Sequence, residues 1–342
     1  MRELPGIDEE RLRACLQDQY DLIPVVLEFL PLGHDYDAGV YRVGSTQGSE
    51  YLLKVTSRLL YEPSYLVPAY LRDQGITSIV APVPTSSGAL WTQIGNWRVL
   101  LYPWINGESS LTGMTAAQWQ EVGSIFRRIH QVRLPTFGFE SLRKERFDPT
   151  EYAQWIQIFE VQRLPDLSSA SASLRALHSS WLEHQPTIHN GLATLEQLAK
   201  ILQSRTFPYA ICHADLHARN LIRAPSGHVF VIDWDEVMLA PKERDFIFLR
   251  KPHAEAFFQG YKDTVIDWSL VAYYLWERVV QDVIYDVHNV VVRDDWAEET
   301  RAQVVQMFHD SLGPRGGNLR AASEASAYVD SLSSPLPLYP PF

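Results

Sequence analysis

The densest group of residues that could do chemistry lies between positions 213 and 234. Residues 213–220 read HADLHARN, and residues 231–234, after a predicted turn, read VIDW. Asp215 could orient a hydroxyl group and accept its proton, while Asn220 and Asp233 offer the oxygen donors that Mg²⁺ prefers. A lone His-x-Asp is usually an ordinary hydrogen-bonded turn. Its combination with Asn220 five residues later and Asp233 thirteen residues after that favours a site for phosphoryl transfer.

Phosphoryl transfer also needs a positive charge close to the phosphates, and Lys54 is the candidate. It lies in the apolar segment YLLKV, residues 51–55, which is a good candidate for a central strand. A lysine in a buried strand is costly unless its charge is paired. We therefore expect Lys54 to face an anionic group, with a solvent-facing strand lysine as the alternative.

The elements around these residues predict an α+β chain with a β-rich first part and a mainly helical second part. Strands are expected over 51–55 and 97–102, short ones near 79–80, 209–212, 220–222 and 229–232, and helices over 8–20, 65–74, 116–132, most of 150–204, and 268–288. These patterns predict a β-rich lobe over 1–102, a connector over 103–107, a larger and mainly helical lobe over 108–323, and a flexible Ser- and Pro-rich tail over 324–342.

The sequence resembles the aminoglycoside phosphotransferase and choline kinase superfamily. Residues 213–222, HADLHARNLI, are similar to its catalytic-loop motif. Similarity to the spectinomycin phosphotransferase branch is found at residues 102–105 (YPWI), 232–245 (IDWDEVMLAPKERD), 260–261 (GY) and 273–282 (YYLWERVVQD). The resemblance implies a protein-kinase-like bilobal fold, in which the lobe over 1–102 binds the nucleotide, 103–107 is the hinge, and the lobe over 108–323 is the catalytic and substrate lobe. It also implies ATP and Mg²⁺, Asp215 as the catalytic base, and Asn220 and Asp233 as the magnesium ligands.

The same resemblance implies the residues that contact the nucleotide. Lys54 would bind the phosphates and pair with Glu62, although the following proline biases Glu62 away from helical geometry. Pro103 would offer its carbonyl and Ile105 its amide to the adenine. The loop over 32–41 would cover the nucleotide, but it holds only Gly33 and one further glycine, unlike the glycine-rich loop of protein kinases.

A net charge of −11 argues against a nucleic-acid partner and suits a cationic small substrate. Four carboxylates are candidates for contacts with such a substrate: Asp235, Glu236, Glu277 and Asp282. The resemblance implies an antibiotic such as spectinomycin or an aminoglycoside. A metabolic kinase acting on choline, a sugar amine or a similar alcohol is the alternative, and a catalytically idle nucleotide-binding regulator is another.

Several features predict a cytoplasmic protein without a membrane partner. The chain has two cysteines, Cys15 and Cys212, which are too far apart in sequence to form a recognisable disulfide or metal motif. No apolar stretch approaches the roughly 20 residues that span a bilayer. The N-terminal residues MRELP lack the basic and apolar segments of a signal peptide.

Overall fold

The computed structural model describes residues 6–31, 38–109, 113–135, 137–262, 265–293, 296–313 and 316–331. The chain forms two compact units. The first comprises Met1–Lys144, Ala210–Leu239 and Pro252–Asp263, and the second comprises Glu145–Tyr209, Ala240–Lys251 and Thr264–Phe342. Within the described ranges no helix is long and apolar enough to cross a membrane.

A five-stranded antiparallel sheet is the main β structure of the first unit. Its strands are β1 (Pro24–Leu30), β2 (Ala38–Ser45), β3 (Glu50–Thr56), β4 (Thr92–Ile94) and β5 (Trp97–Pro103), in the order β1-β2-β3-β5-β4. Helix α1 (Glu9–Tyr20) starts at the cap Asp8 and packs on one face through Leu12 and Leu16, which are fully buried with Leu53 of β3. The central position of β3 places Lys54 between Val40 and Leu100.

The α-helices in the described part of the first unit are α1 together with α2 (Pro63–Asp73), α3 (Ala116–Gln131) and α7 (His253–Tyr261). Thr115 and Gln118 form a reciprocal capping box that starts α3. Helices α3 and α7 approach so closely that a Cβ atom on Gly123 would lie 2.0 Å from the carbonyl oxygen of Phe257. A Cβ on Gly260 would lie 1.9 Å from the carbonyl oxygen of Gln120, so both crossing points require glycine.

Short strands flank the predicted catalytic loop. β6 (Glu108–Ser109), β8 (Leu221–Arg223) and β9 (Val229–Val231) form a three-stranded sheet, and β7 (Ala210–Cys212) pairs with β10 (Met238–Ala240). The loop runs from the end of β7 to the start of β8. The turn between β8 and β9 contains Gly227 with φ +90°. The strand expected near Ile79 is reduced to a single bridge with Val231, because only one pair of residues aligns there.

The second unit is helical. Its helices are α4 (Thr150–Ile158), a π-helical turn (Phe159–Arg163), α5 (Leu164–Leu167), α6 (Ala172–Gln203), α8 (Trp268–Val292), α9 (Glu298–Leu312) and α10 (Gly317–Ser331). Helix α8 packs against α6, α9 and α10. The rings of Trp181 and Phe308, both fully buried, stack between α6 and α9.

The predicted start of the flexible tail, residue 324, falls inside a helix. Residues 324–331 belong to α10, because Ala321, Ala322 and Ala325 form a buried face of that helix. A face of three small residues gives a weak hydrophobic signal, and the Ser-rich sequence around it concealed the helix. The remainder of the predicted tail lies outside the described residues.

Candidate active site

The β8–β9 hairpin brings Asn220 and Asp233 to the same end of one small sheet. Leu221 is paired with Val231 in the register of the hairpin. Asn220 immediately precedes β8, and the amide of Ile232 donates to the carbonyl of Asn220 at 3.0 Å. Asn220 and Asp233 therefore stand at two neighbouring strand ends, and this explains their spacing in the sequence.

Asn220 also holds the carboxylate of Asp215. Its side-chain nitrogen donates to the main-chain oxygen of Asp215 at 2.9 Å and to a carboxylate oxygen of Asp215 at 3.3 Å. This leaves the Asn220 amide oxygen as the atom that can face a cation. The Asp215 side chain is 20% exposed, so a small molecule can reach it, and Nε2 of His217 lies 3.3 Å from its carboxylate.

His213 ties this loop to the segment that carries Asp233. The imidazole is fully buried, and its Nε2 lies 2.9 Å from the carbonyl oxygen of Ile232. Because a carbonyl can only accept, Nε2 carries the proton, and Nδ1 accepts from the amide of Asp215 at 3.3 Å. The ring also packs against that of Trp234, with the two ring centroids 4.8 Å apart. These contacts brace the loop against the segment that carries Asp233.

Two residues of the site adopt left-handed backbone conformations. Ala214 has φ +67° and Asp233 has φ +63°. For a residue with a Cβ atom this conformation costs roughly 1–2 kcal/mol, and aspartate tolerates it better than alanine. Ala214 is buried, so the surrounding contacts hold it in place. Strain of this kind clusters at functional sites.

Lys54 forms an ion pair with Asp235. The distance from Nζ to the carboxylate oxygen is 2.7 Å, and the lysine side chain is 21% exposed. Burial alone would lower the pKa of Lys54, but the carboxylates of Asp235 and Asp233 outweigh burial and raise that pKa. Lys54 therefore keeps its positive charge, as the sequence predicts for a lysine facing anionic groups.

The carboxylates around Lys54 form a set that a divalent cation fits. Partial desolvation and the charge of Asp235 raise the pKa of Asp233, with Lys54 opposing them and Asp215 adding to the repulsion. Lys54 faces the carboxylates of Asp235 and Asp233, and the Asp215 carboxylate acts on Asp233 as well, so negative charge is in excess. Carboxylate and amide oxygens at a partly open, negatively charged position are the donors that Mg²⁺ takes.

The position of Glu62 differs from the expected pairing with Lys54. Glu62 is the N-cap residue of α2, followed by Pro63 as the first helical residue. Its carboxylate accepts a hydrogen bond from Ser141 at 3.1 Å, whereas Lys54 is paired with Asp235. Glu62 stands at the helix entrance with helical backbone angles, φ −51° and ψ −44°, so the expected bias of its backbone away from helical geometry is wrong.

The predicted hinge begins at the end of β5. Pro103 is both the last residue of β5 and the first residue of the predicted hinge, and it pairs with Tyr51 of β3. The amide of Trp104 donates to the carbonyl of Glu50 at 3.2 Å, and Ile105, half-buried, comes next in the chain. Gly33, the remaining predicted nucleotide contact, lies outside the described residues.

Of the four carboxylates expected to contact a substrate, two lie in the first unit. Asp235 is engaged by Lys54, as described above. Glu236 is exposed, with a carboxylate oxygen 3.3 Å from the guanidinium of Arg143. Arg143 also donates to the main-chain oxygen of Asp235 at 3.0 Å, so it orders this segment.

The other two carboxylates, Glu277 and Asp282, lie on α8 in the second unit. Glu277 is buried in an ion pair with Arg244 and accepts from the hydroxyl of Tyr152 at 3.3 Å, which differs from the accessible carboxylate that was expected. Asp282 lies 2.8 Å from Arg278 and accepts from Asn318 at 3.0 Å.

The sequence model described as the phosphotransferase enzyme family matches residues 28–279, well over half of the chain. The chain belongs to this family. The match contains Lys54, Asp215, Asn220 and Asp233, and it confirms the resemblance on which the predicted fold rests. No curated protein sequence matches the chain.

Solved structures related to this family member agree with its fold. A spectinomycin phosphotransferase in complex with ADP and spectinomycin is 26% identical, with a TM-score of 0.83 over 94% of this chain and 99% of that one. The AMP-bound complex of spectinomycin phosphotransferase is 25% identical, with a TM-score of 0.79 over 93% and 99% of the two chains. A choline kinase from Streptococcus pneumoniae, 16% identical with a TM-score of 0.55 over 89% and 99%, shares the fold.

Proposed function

We propose that the protein is an ATP-dependent O-phosphotransferase acting on a hydroxyl group of a small cationic antibiotic of the spectinomycin or aminoglycoside type. The observation that carries the reaction type is the hydrogen-bonded pair of Asn220 and Asp215, with Asn220 at the same hairpin end as Asp233. The substrate class rests on the 26% identity to spectinomycin phosphotransferase and on the net charge of −11, which favours a cation.

Asp215 acts in this proposal as the base. Its carboxylate accepts the proton of the substrate hydroxyl as the oxygen attacks the terminal phosphorus of ATP. Asn220 fixes the carboxylate through the 3.3 Å hydrogen bond, and His213 holds the preceding main chain. The base is therefore oriented before the substrate binds, so little reorganisation is needed during the reaction.

Asn220 and Asp233 would hold Mg²⁺, which when bound neutralises charge on the phosphates. Lys54 adds a fixed positive charge, and its 2.7 Å contact with Asp235 keeps the ammonium group on the side of these residues. We assign Asp235 the positioning role that the sequence suggested for Glu62. Pro103 and Ile105 would contact the adenine through the main chain.

The first experiment is an ADP-release assay with magnesium-ATP and a panel of spectinomycin, several aminoglycosides, choline and simple sugars. We expect turnover with spectinomycin or an aminoglycoside. Turnover with choline or a sugar alone would keep the assignment of Asp215 and replace the substrate class. If the protein binds ATP but neither phosphorylates an acceptor nor hydrolyses ATP, the proposed enzyme activity is contradicted. That result would favour a nucleotide-binding regulator.

The base assignment is tested by Asp215→Asn. We expect turnover to fall by about 10²–10⁴-fold, the contribution typical of general-base catalysis, with nearly unchanged ATP affinity. Asp18→Asn, at an exposed position on α1, is the matched control. Near-normal turnover of Asp215→Asn would show that another group takes the proton.

The metal assignment is tested by Asp233→Ala. Because Asp233 would be one of two protein ligands, we expect weaker magnesium-ATP binding together with lower activity. A magnesium titration at fixed ATP measures both effects. An unchanged magnesium midpoint in the variant would contradict the assignment.

A further inference from the structure

A second group of metal-binding side chains lies far in sequence from the catalytic loop, between α6 and α9 of the second unit. Nδ1 of His309 lies 3.2 Å from Nε2 of His184, 3.0 Å from the hydroxyl of Ser180 and 3.9 Å from a carboxylate oxygen of Glu183. The donor atoms of the two histidines and the glutamate all lie within 4.8 Å of one another.

The helical repeat explains why these groups share one surface. Ser180, Glu183 and His184 stand three and four residues apart on α6, so they occupy one face of the helix. His309 reaches that face from α9, and the two helices are in contact through their buried side chains. The arrangement therefore joins segments that are 125 residues apart in the chain.

Hydrogen bonds account for only part of this arrangement. A ring nitrogen has one in-plane direction for a proton or a lone pair, so His309 Nδ1 can make one well-aligned bond. Three polar groups nevertheless converge on it. A shared cation between the donors explains the convergence, because each ligand atom then points to the ion instead of to the nitrogen.

The distances suit a tetrahedral transition-metal site. Zn²⁺ bound at roughly 2.0–2.1 Å holds adjacent tetrahedral ligand atoms about 3.3–3.4 Å apart, close to the 3.2 Å between the two imidazole nitrogens. Glu183 is 64% exposed and needs only a small side-chain rotation to shorten its 3.9 Å separation.

We propose that Glu183, His184 and His309 bind a transition metal ion such as Zn²⁺, which links α6 to α9. Imidazole ligands select such ions over Mg²⁺ and Ca²⁺. Burial and the neighbouring His309 lower the pKa of His184, which favours the neutral imidazole that a metal requires. Because His309 and Glu183 are partly exposed, the ion can exchange with solvent, and Ser180 or water can complete the coordination.

Cobalt binding to the metal-stripped full-length protein tests the site. Visible absorption is recorded during a Co²⁺ titration in millimolar Mg²⁺, which occupies the oxygen-ligand site of the proposed reaction. We expect one equivalent of Co²⁺ with the intense bands of a tetrahedral nitrogen site. We expect His309→Ala and His184→Gln to weaken binding at least about 10-fold. His288→Ala, at an exposed position on α8, is the control.

Thermal unfolding with Zn²⁺ gives a second measurement that separates ligand loss from misfolding. His309→Ala removes a partner of the buried Ser180 and His184, so the variant is expected to melt somewhat below the wild type without metal, and the effect of Zn²⁺ is measured against each protein's own metal-free melting temperature. Zn²⁺ should raise the melting temperature of the wild type and of His288→Ala, but not of His309→Ala. Equal Zn²⁺ stabilisation of all three proteins, or the absence of an equivalent of bound Co²⁺ in the wild type, would overturn the proposal.

Discussion

Replacing the buried Glu145 by glutamine is expected to stabilise the protein, and increasingly so at alkaline pH. Glu145 is 8% exposed, and one carboxylate oxygen accepts from the amides of Arg146 and Phe147 at 2.8 and 2.6 Å. Burial and the nearby Glu277 raise the pKa of Glu145 from its ordinary 4.5 to about 7, despite the opposing charge of Arg244. Glutamine keeps the accepting oxygen and removes the charge.

The magnitude follows from the difference in proton affinity between the folded and unfolded states. The raised pKa means that the folded state holds the Glu145 proton more tightly than the unfolded state does. Proton binding by Glu145 therefore stabilises the fold fully below pH 4.5, and this stabilisation is lost as the pH rises through 7. At pH 8 the loss amounts to about 3 kcal/mol, and at pH 5 to less than about 1 kcal/mol. Glu145→Gln removes this loss.

Thermal unfolding of the ligand-free protein at pH 5 and pH 8 measures the effect. We expect a small difference between the wild type and Glu145→Gln at pH 5, and a melting temperature several degrees higher for the variant at pH 8. Glu151→Gln, at an exposed position on α4, is the control. A variant that is less stable at pH 8 would refute the reasoning, since it would mean that the ionised carboxylate stabilises the fold through Arg244.

Further predictions concern the strained Ala214, the partner of Lys54 and the close crossing of α3 and α7. Ala214→Gly should leave the melting temperature unchanged or raise it, whereas Ala214→Val should lower it, because a β-branched residue is disfavoured at φ +67°. In double-mutant cycles with Lys54→Met, measured by chemical denaturation, Asp235→Asn should show a coupling of up to about 1 kcal/mol and Glu62→Gln almost none; the reverse result would restore Glu62 as the partner. Gly123→Ala should lower the free energy of unfolding by about 1–3 kcal/mol or more. A variant with the same free energy of unfolding as the wild type, measured by chemical denaturation, would contradict the close approach of α3 and α7.

The relation between Asn220 and Asp233 was predictable from the sequence because it is local. Two short apolar runs separated by a turn with Gly227 make a hairpin, and the hairpin register then fixes which residues meet at its end. Helix α3 follows from an equally local pattern. Such patterns predict a β-rich part and a helical part of the chain, whereas the bilobal kinase-like fold was implied by the resemblance to the superfamily, which the family match confirms.

Contacts between distant segments were not predictable in the same way. Lys54 and Asp235 are 181 residues apart, and nothing in the local sequence distinguishes Asp235 from Glu62 as a partner. Glu277 offered more of a signal, since it stands among buried residues of α8, and a carboxylate in that position needs a partner such as Arg244. The alanines of α10 gave only a weak helical signal, because small residues provide little hydrophobic contrast and serines stand among them.

The close crossing of α3 and α7 has a consequence for synthesis on the ribosome. Helix α3 ends at Gln131, but α7, which covers one of its faces, begins only at His253. At translation rates of about 5–20 residues per second, the intervening residues take roughly 6–24 s to make. During that interval Trp119 and Phe126 of α3 lack their contacts with His253 and Phe257 of α7. The nascent chain therefore exposes an apolar surface that a chaperone could bind. The first unit can reach its final packing only after three quarters of the protein has been translated.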